Sequence, residues 1–349
     1  MHKALRGSKI AGLIAVMGFA LLLATVMPVM AVDTVGSHST VADTELNQVT
    51  WDCNNFSGFY YDINKNLGAE TITFRPTDAT PTGATLSDQP DELGDRGVVY
   101  TTHAQLKIFK YKPWGQYHVI GFLANKYFAA YDNTQTADVA YAGGGMPFLY
   151  GMSKNRNLMT NEQLSEILID DNTEMLINSS SPLKLAEGYE LALKYVNSSQ
   201  ALVELKKDGQ LVDTNIIQPS IPGATMDDKT YCYKRNIGDT SDIITIAVHF
   251  KNSIHGPDKD SAIVDGIFQI SDTPVAISTD QKYGKMSIRN VDATNMVVTM
   301  DNKDNQIILT KNKDIPLMGK IHIKTADQDG TAAAPLRYYI YSEETYECG

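Results

Sequence analysis

Leu183-Lys184-Leu185 and then Tyr189-Glu190-Leu191-Ala192-Leu193-Lys194-Tyr195 set an apolar side chain at every second position. A period of two sends alternate side chains to opposite faces of a pleated chain, so this stretch reads as strand with one face buried. Residues 201–205 and 211–217 repeat the pattern around Lys207-Asp208-Gly209-Gln210, where the Asp-Gly pair supplies the positive φ that a tight hairpin turn needs. With further strands at 230–235, 243–250 and 262–270, about seven fall between residues 181 and 271, the number a small sandwich requires.

Working outward, strands are predicted at 58–62, 70–74, 98–100, 105–110 and 117–123, and again at 285–289, 296–300, 306–309, 320–324 and 337–341. The expected fold is all-β with two β-sandwich domains. The flanks, 40–180 and 272–349, build the first together, and residues 181–271 form the second, inserted in it; two sequential domains split near Ser181 are the alternative. One short helix is expected over 160–169, where Thr160 and Gln163 have capping-box spacing and Leu164, Ile167 and Leu168 make an apolar face. Residues 76–95, rich in Pro, Thr, Gly and Asp, read as a long exposed loop, and Gly143-Gly144-Gly145 as a connector.

The chain opens with Lys3, Arg6 and Lys9, then a nearly uncharged apolar run over 10–26, Pro28 and a small residue at Ala31. That order is a secretory signal peptide, 1–31; a membrane anchor is the other reading of such a run. Removing it takes away those three positive charges and no acidic residue, so the formal net charge goes from −11 to −14. An acidic exported chain is a poor partner for nucleic acid or an anionic membrane, both of which need a basic patch; membrane contact is expected only through an uncleaved N-terminal segment.

Three cysteines, Cys53, Cys232 and Cys348, make an odd set without C-x-x-C spacing, which speaks against a zinc or dithiol site. If both flanks build one sandwich, Cys53 and Cys348 share a domain and are the disulfide candidates, while Cys232 sits in the inserted block; three reduced thiols are the alternative. Of the histidines, His118, His249, His255 and His322 form no metal-binding spacing, and no G-x-S-x-G, H-E-x-x-H or phosphate loop occurs. No catalytic residue is named, and the protein is read as a non-enzyme. Asp62, Asn64 and Asn66 place oxygens at alternate positions, as a calcium loop does, so a structural divalent cation is a cofactor candidate. A polar hairpin loop is the bland alternative. Glycosylation sequons occur at Asn55, Asn178 and Asn197; the latter two lie in expected loops, whereas Asn55 sits among aromatics.

Trp51 followed by Asn55-Phe56-Ser57-Gly58-Phe59-Tyr60-Tyr61-Asp62-Ile63-Asn64 resembles the opening of the S-layer duplication domain of methanogenic archaea. The likeness continues in order through His118-Val119-Ile120-Gly121-Phe122-Leu123-Ala124-Asn125-Lys126-Tyr127-Phe128-Ala129, Leu185-Ala186-Glu187-Gly188-Tyr189, Leu205-Lys206-Lys207-Asp208-Gly209, Gly266-Ile267-Phe268-Gln269-Ile270-Ser271 and Leu336-Arg337-Tyr338-Tyr339. The resemblance implies paired β-sandwiches, export, glycosylation and assembly with itself or other S-layer subunits at the cell surface. It brings no catalytic residues. One such unit is present, and the sequence stops at Glu347-Cys348-Gly349 without the family's C-terminal anchor, so retention is expected from an uncleaved leader, from partners, or not at all. Phe56, Phe59, Tyr60 and Tyr61 are expected as core, with an exposed sugar-binding platform as the alternative. The corresponding functions are a self-associating structural envelope protein and, as alternative, a secreted carbohydrate- or cell-binding module.

Overall fold

The Asp208-Gly209 turn has φ of 49° and 79°, the left-handed pair of a tight hairpin, and it joins Ala201–Lys207 to Gln210–Ile217. A computed structural model describes residues 32–87, 96–134, 145–197, 200–256 and 259–347. The chain divides into two units, 1–34 with 345–349 and Val35–Glu344. In the first, the described residues 32–34 and 345–347 are extended strand.

Among the described residues the protein is all-β, with antiparallel strands in several sheets. Gln210–Ile217, Ala201–Lys207, Tyr189–Val196 and Leu183–Lys184 lie side by side in a four-stranded sheet. A larger, nine-stranded sheet runs Thr230–Ile237, Thr240–Ile254, Ser261–Ile270, Gln163–Asp171, Asn125–Asp132, Gln116–Phe122 and Gln105–Ile108, with Met175–Asn178 and Val275–Ala276 added beside this path. The middle block thus places four strands in a sheet of its own, and its remaining long strands continue into strands of the N-terminal flank. Between the two sheets lies a core of Leu191, Leu193, Val203, Leu205, Tyr231, Val248 and Phe250, all essentially inaccessible.

Both flanks contribute to the other sheets. Met286–Asp292 and Val297–Asp301 pair onward with Gly97–His103, Thr71–Arg75 and Val49–Asp52, and Ile307–Leu309 pairs with Gly83–Leu86. Arg337–Glu347, Ile321–Thr325 and Asp314–Met318 form a further sheet that Ala42–Asp43 joins. Their shared core includes Trp51, Phe56, Phe74, Tyr100, Ile288, Met300, Ile323 and Tyr338.

Three local expectations are corrected. Residues 160–169 are not a helix: Met159–Asn161 is one 3-10 turn, Glu162 turns left-handed at φ 55°, and Gln163–Asp171 is a strand inside the large sheet. Leu164 and Ile167 fit either period over so short a run. Strands Asn125–Asp132 and Ser261–Ile270 on the two sides supply the ladder that decides it, and the Thr160 hydroxyl bonds back to the Asn157 carbonyl instead of capping. The α-helices among the described residues are Phe148–Met152 and Met226–Lys229, the latter with a capping box between Thr225 and Asp228. Residues 58–62 are turn and irregular chain: Phe59 is buried in the core, Tyr60 is half-buried and Tyr61 is exposed, so the side chains do not alternate between two faces as a strand's would. Within 76–95, Asp78–Thr80 and Gly83–Leu86 form a hairpin against Ile307–Leu309; residues 88–95 lie outside the described residues, as do Gly143 and Gly144.

Candidate functional site

Trp51 stands at the head of the aromatic signature and is fully buried; its indole Nε1 donates to the Thr40 carbonyl at 2.9 Å. Its ring meets Phe74 edge-on at 5.0 Å, and Phe74 stacks on Tyr338 at 6.0 Å. Phe56 and Phe59 pack edge to face at 4.8 Å and are buried, whereas Tyr61 is 42% exposed and Ile63 81% exposed. The signature therefore spends its first half on the core and puts its end, from Tyr61, at the surface. Buried aromatics cannot offer a flat face to a sugar, so the platform reading loses its main residues.

The signature loop is tied down by Glu70, which the sequence places at the start of a strand, after the oxygen-rich Asp62–Gly68 stretch, without showing this role. Its carboxylate is 1% exposed and accepts from the Tyr60 N–H at 2.8 Å, the Ala124 N–H at 2.8 Å and the Tyr100 hydroxyl at 2.9 Å. Those donors come from two quoted signature segments and a third strand. Leu123 and Ala124 both hold positive φ, 52° and 69°, a turn that L side chains adopt reluctantly. The Ala124 N–H bond to Glu70 helps hold that turn in place, and the Leu123 N–H donates to the Tyr100 hydroxyl at 3.2 Å. Gly121 completes the fit, since a Cβ there would stand 2.7 Å from Glu70 Oε2. Burial pushes the Glu70 carboxyl up to about 7, and the three hydrogen bonds only partly offset this.

The proposed calcium-loop residues lie at a turn in which Asp62 N–H donates to the Leu67 carbonyl at 2.8 Å. Asp62 Oδ1 accepts from the backbone of Asn64 and Lys65, and Oδ2 pairs with Lys107 Nζ at 2.8 Å. Burial alone would raise its carboxyl, but Lys107 and the two amides outweigh it and hold it below the usual carboxylate range. Asn66 Oδ1 accepts from the Tyr61 hydroxyl at 2.6 Å. The Asp62 oxygens are taken by lysine and backbone donors and the Asn66 oxygen by a tyrosine hydroxyl. Among the described residues no cluster of three His, Cys, Asp or Glu is placed to hold a metal ion.

The sequons differ in environment. Asn55 uses both ends of its amide in the turn, accepting from the Asp52 N–H at 2.8 Å and donating to the Thr50 carbonyl at 3.2 Å. Asn178 ends a strand and accepts from the Ser180 N–H and hydroxyl through Oδ1, at 3.0 and 2.8 Å. Its Nδ2 carries no hydrogen bond among the described residues, leaving the nitrogen that a glycan takes unengaged. Asn197 accepts from the Gln200 N–H at 2.7 Å, and Ser198 and Ser199 lie outside the described residues. Cys53 Sγ is 3.8 Å from the Gly68 carbonyl; its candidate partner Cys348 lies outside the described residues. Burial raises the Cys232 thiol to about 12, which makes it unreactive.

Each of the four histidines singled out in the sequence faces an aspartate: His118 with Asp132, His249 with Asp265, His255 with Asp260 and His322 with Asp314. His249 comes nearest to a relay, with Nδ1 2.5 Å from Asp265 and Nε2 3.0 Å from the Tyr111 hydroxyl. Burial holds Tyr111 well above its ordinary value, so its oxygen stays protonated, and the two rings stack at 4.3 Å. In this state the trio is packing rather than an activated nucleophile.

The geometry defines an all-β protein whose signature residues build cores and turns. The S-layer protein family matches residues 40–327, and the chain belongs to that family. It is 26% identical over 320 residues to the major S-layer protein of Methanosarcina mazei, covering 89% of this chain and 41% of that one. The major S-layer protein of Methanosarcina acetivorans is 26% identical over 306 residues, covering 85% and 39%, and that of Methanosarcina barkeri 23% over 311 residues, covering 87% and 40%. The chain thus spans about two fifths of the length of these relatives.

Proposed function

We propose that this protein is a structural component of the cell envelope, self-associating into, or attached to, an extracellular S-layer lattice. Family membership across residues 40–327 carries the reading. The burial of Trp51, Phe56 and Phe59 agrees with it, because the residues that mark the family serve the fold. A catalytic role is not part of it: in the His249–Asp265–Tyr111 trio burial keeps the tyrosine protonated. Partners are other copies of this chain or other S-layer subunits. The test is the assembly state of the full chain expressed in an exporting host, followed by sedimentation and negative-stain microscopy with and without divalent cations. Ordered sheets or concentration-dependent oligomers are expected. A strict monomer in every condition would overturn the proposal.

A further inference from the structure

Beside the Gln105–Ile108 strand lies a hollow of about 340 Å³ whose rim carries Lys65, Lys107, Lys110 and Lys112. Four lysines face one aspartate there, Asp62, in a chain with 41 acidic against 30 basic residues. Asp62 answers Lys107 alone, at 2.8 Å, with both side chains 13% exposed. Lys65, Lys110 and Lys112 are exposed and form no ion pair among the described residues. The next carboxylate, Asp170, is turned to the Lys110 N–H at 2.9 Å and the Tyr117 hydroxyl at 3.0 Å. Among the described residues Gln105–Ile108 pairs only with Gln116–Phe122 and ends the strand path of the large sheet, so no described strand pairs along its other edge.

We infer that this lysine hollow is an interaction surface for a carboxylate-bearing patch on a second copy of the same chain. The inference rests on the structural reading above and names where one contact of the assembly forms. Two acidic molecules repel in most orientations, and a concave surface of inverted sign is where that repulsion becomes attraction. Lysines near such an edge also discourage indiscriminate strand pairing, which leaves charge rather than backbone to choose the neighbour. A basic hollow meeting an acidic patch elsewhere on the next copy is a heterologous contact, the kind that propagates into open arrays instead of closing as a dimer.

The experiment compares the full chain with a triple variant, Lys65→Glu, Lys110→Glu and Lys112→Glu, by sedimentation velocity at low and high salt. A control variant, Lys154→Glu, Lys206→Glu and Lys313→Glu, makes the same change in net charge elsewhere. Thermal melts check that each folds, and the milder Lys→Gln triple replaces the first if it does not. Self-association weakened roughly tenfold or more in the hollow variant, little changed in the control, and weakened by salt in the parent, is the expected result. The inference is overturned if hollow and control variants behave alike. It is also overturned if association ignores salt and is lost on replacing the exposed Tyr195 and Ile216 by Ser, or if inorganic phosphate fills the hollow without affecting association. If the parent associates and the hollow variant does so equally, only this inference falls; if the parent never associates, the proposed function falls with it.

Discussion

Glu70, where the signature segments meet, accepts hydrogen bonds only from neutral donors, the Tyr60 and Ala124 amides and the Tyr100 hydroxyl. Asp272, where the middle block returns to the C-terminal flank, faces cations instead: Arg235 Nη1 at 2.5 Å and Lys207 Nζ at 3.5 Å, with the Tyr189 hydroxyl at 2.7 Å. Both carboxylates tie loops to sheets. Asp272 gains strong charge-assisted bonds in a site that water still reaches, since Arg235 is 38% exposed. Glu70 gives up solvation without a counter-charge, and the cost surfaces as a raised pKa. The same mechanical task therefore carries different dependences on pH and salt.

The largest effect should come from emptying the core beside Glu70. Phe56→Ala removes a fully buried ring and is expected to cost about 3 to 5 kcal/mol of stability. Hydrogen exchange then shows whether the loss stays in the flanks or also reaches 183–217; confinement would show that the two regions open separately.

A smaller effect separates the carboxylates by pH. Glu70 binds its proton more tightly folded than unfolded, so between 4.5 and about 7 the folded state holds more protons and stability falls as pH rises. The shift corresponds to about 3 kcal/mol. His118 and His249, held below their ordinary value by burial, act the other way, losing stability as pH drops below 6.5. Subtracting the melting curve of Glu70→Gln from that of the parent isolates the carboxylate: the difference should vary across 4.5 to 7 and flatten outside it. A difference independent of pH would contradict this account of Glu70.

Asp272→Asn should cost about 2 kcal/mol, from weakened charge-assisted bonds, and part of that cost should fade as salt is raised. The Glu70→Gln difference should not respond to salt. Equal salt responses would erase the contrast between the two sites. Smallest of all is Asn178→Gln, expected within about 0.5 kcal/mol of the parent in stability and, in protein from native cells, to lose a glycan mass. An unmodified Asn178 peptide would end that proposal.

Much of this was legible beforehand where local pattern and final contacts agree. The alternation from Tyr189 to Leu193 and the Asp208-Gly209 turn needed no distant partner to be read and stand as strand and hairpin, whereas Leu183–Lys184 is a separate strand folded back onto Tyr189–Val196, and a bulge after Leu193 leaves Tyr195 exposed. Residues 160–169 misled because Leu164 and Ile167 suit two periods, and the flanking strands that decide between them lie far off in sequence. Glu70 was not legible because its importance lies in donors 10 and 54 residues away. Nothing in Leu123-Ala124 announces a left-handed turn. The pairing of each named histidine with an aspartate is likewise a product of topology, since Asp132 and His118 meet only across a hairpin.

Electron microscopy of the native envelope, with this protein labelled by antibody, tests the central claim most directly. The account predicts label outside the membrane, in register with a periodic surface layer. Label confined to the cell interior, or protein found only free in the medium with an unlabelled layer left on the cells, would contradict it.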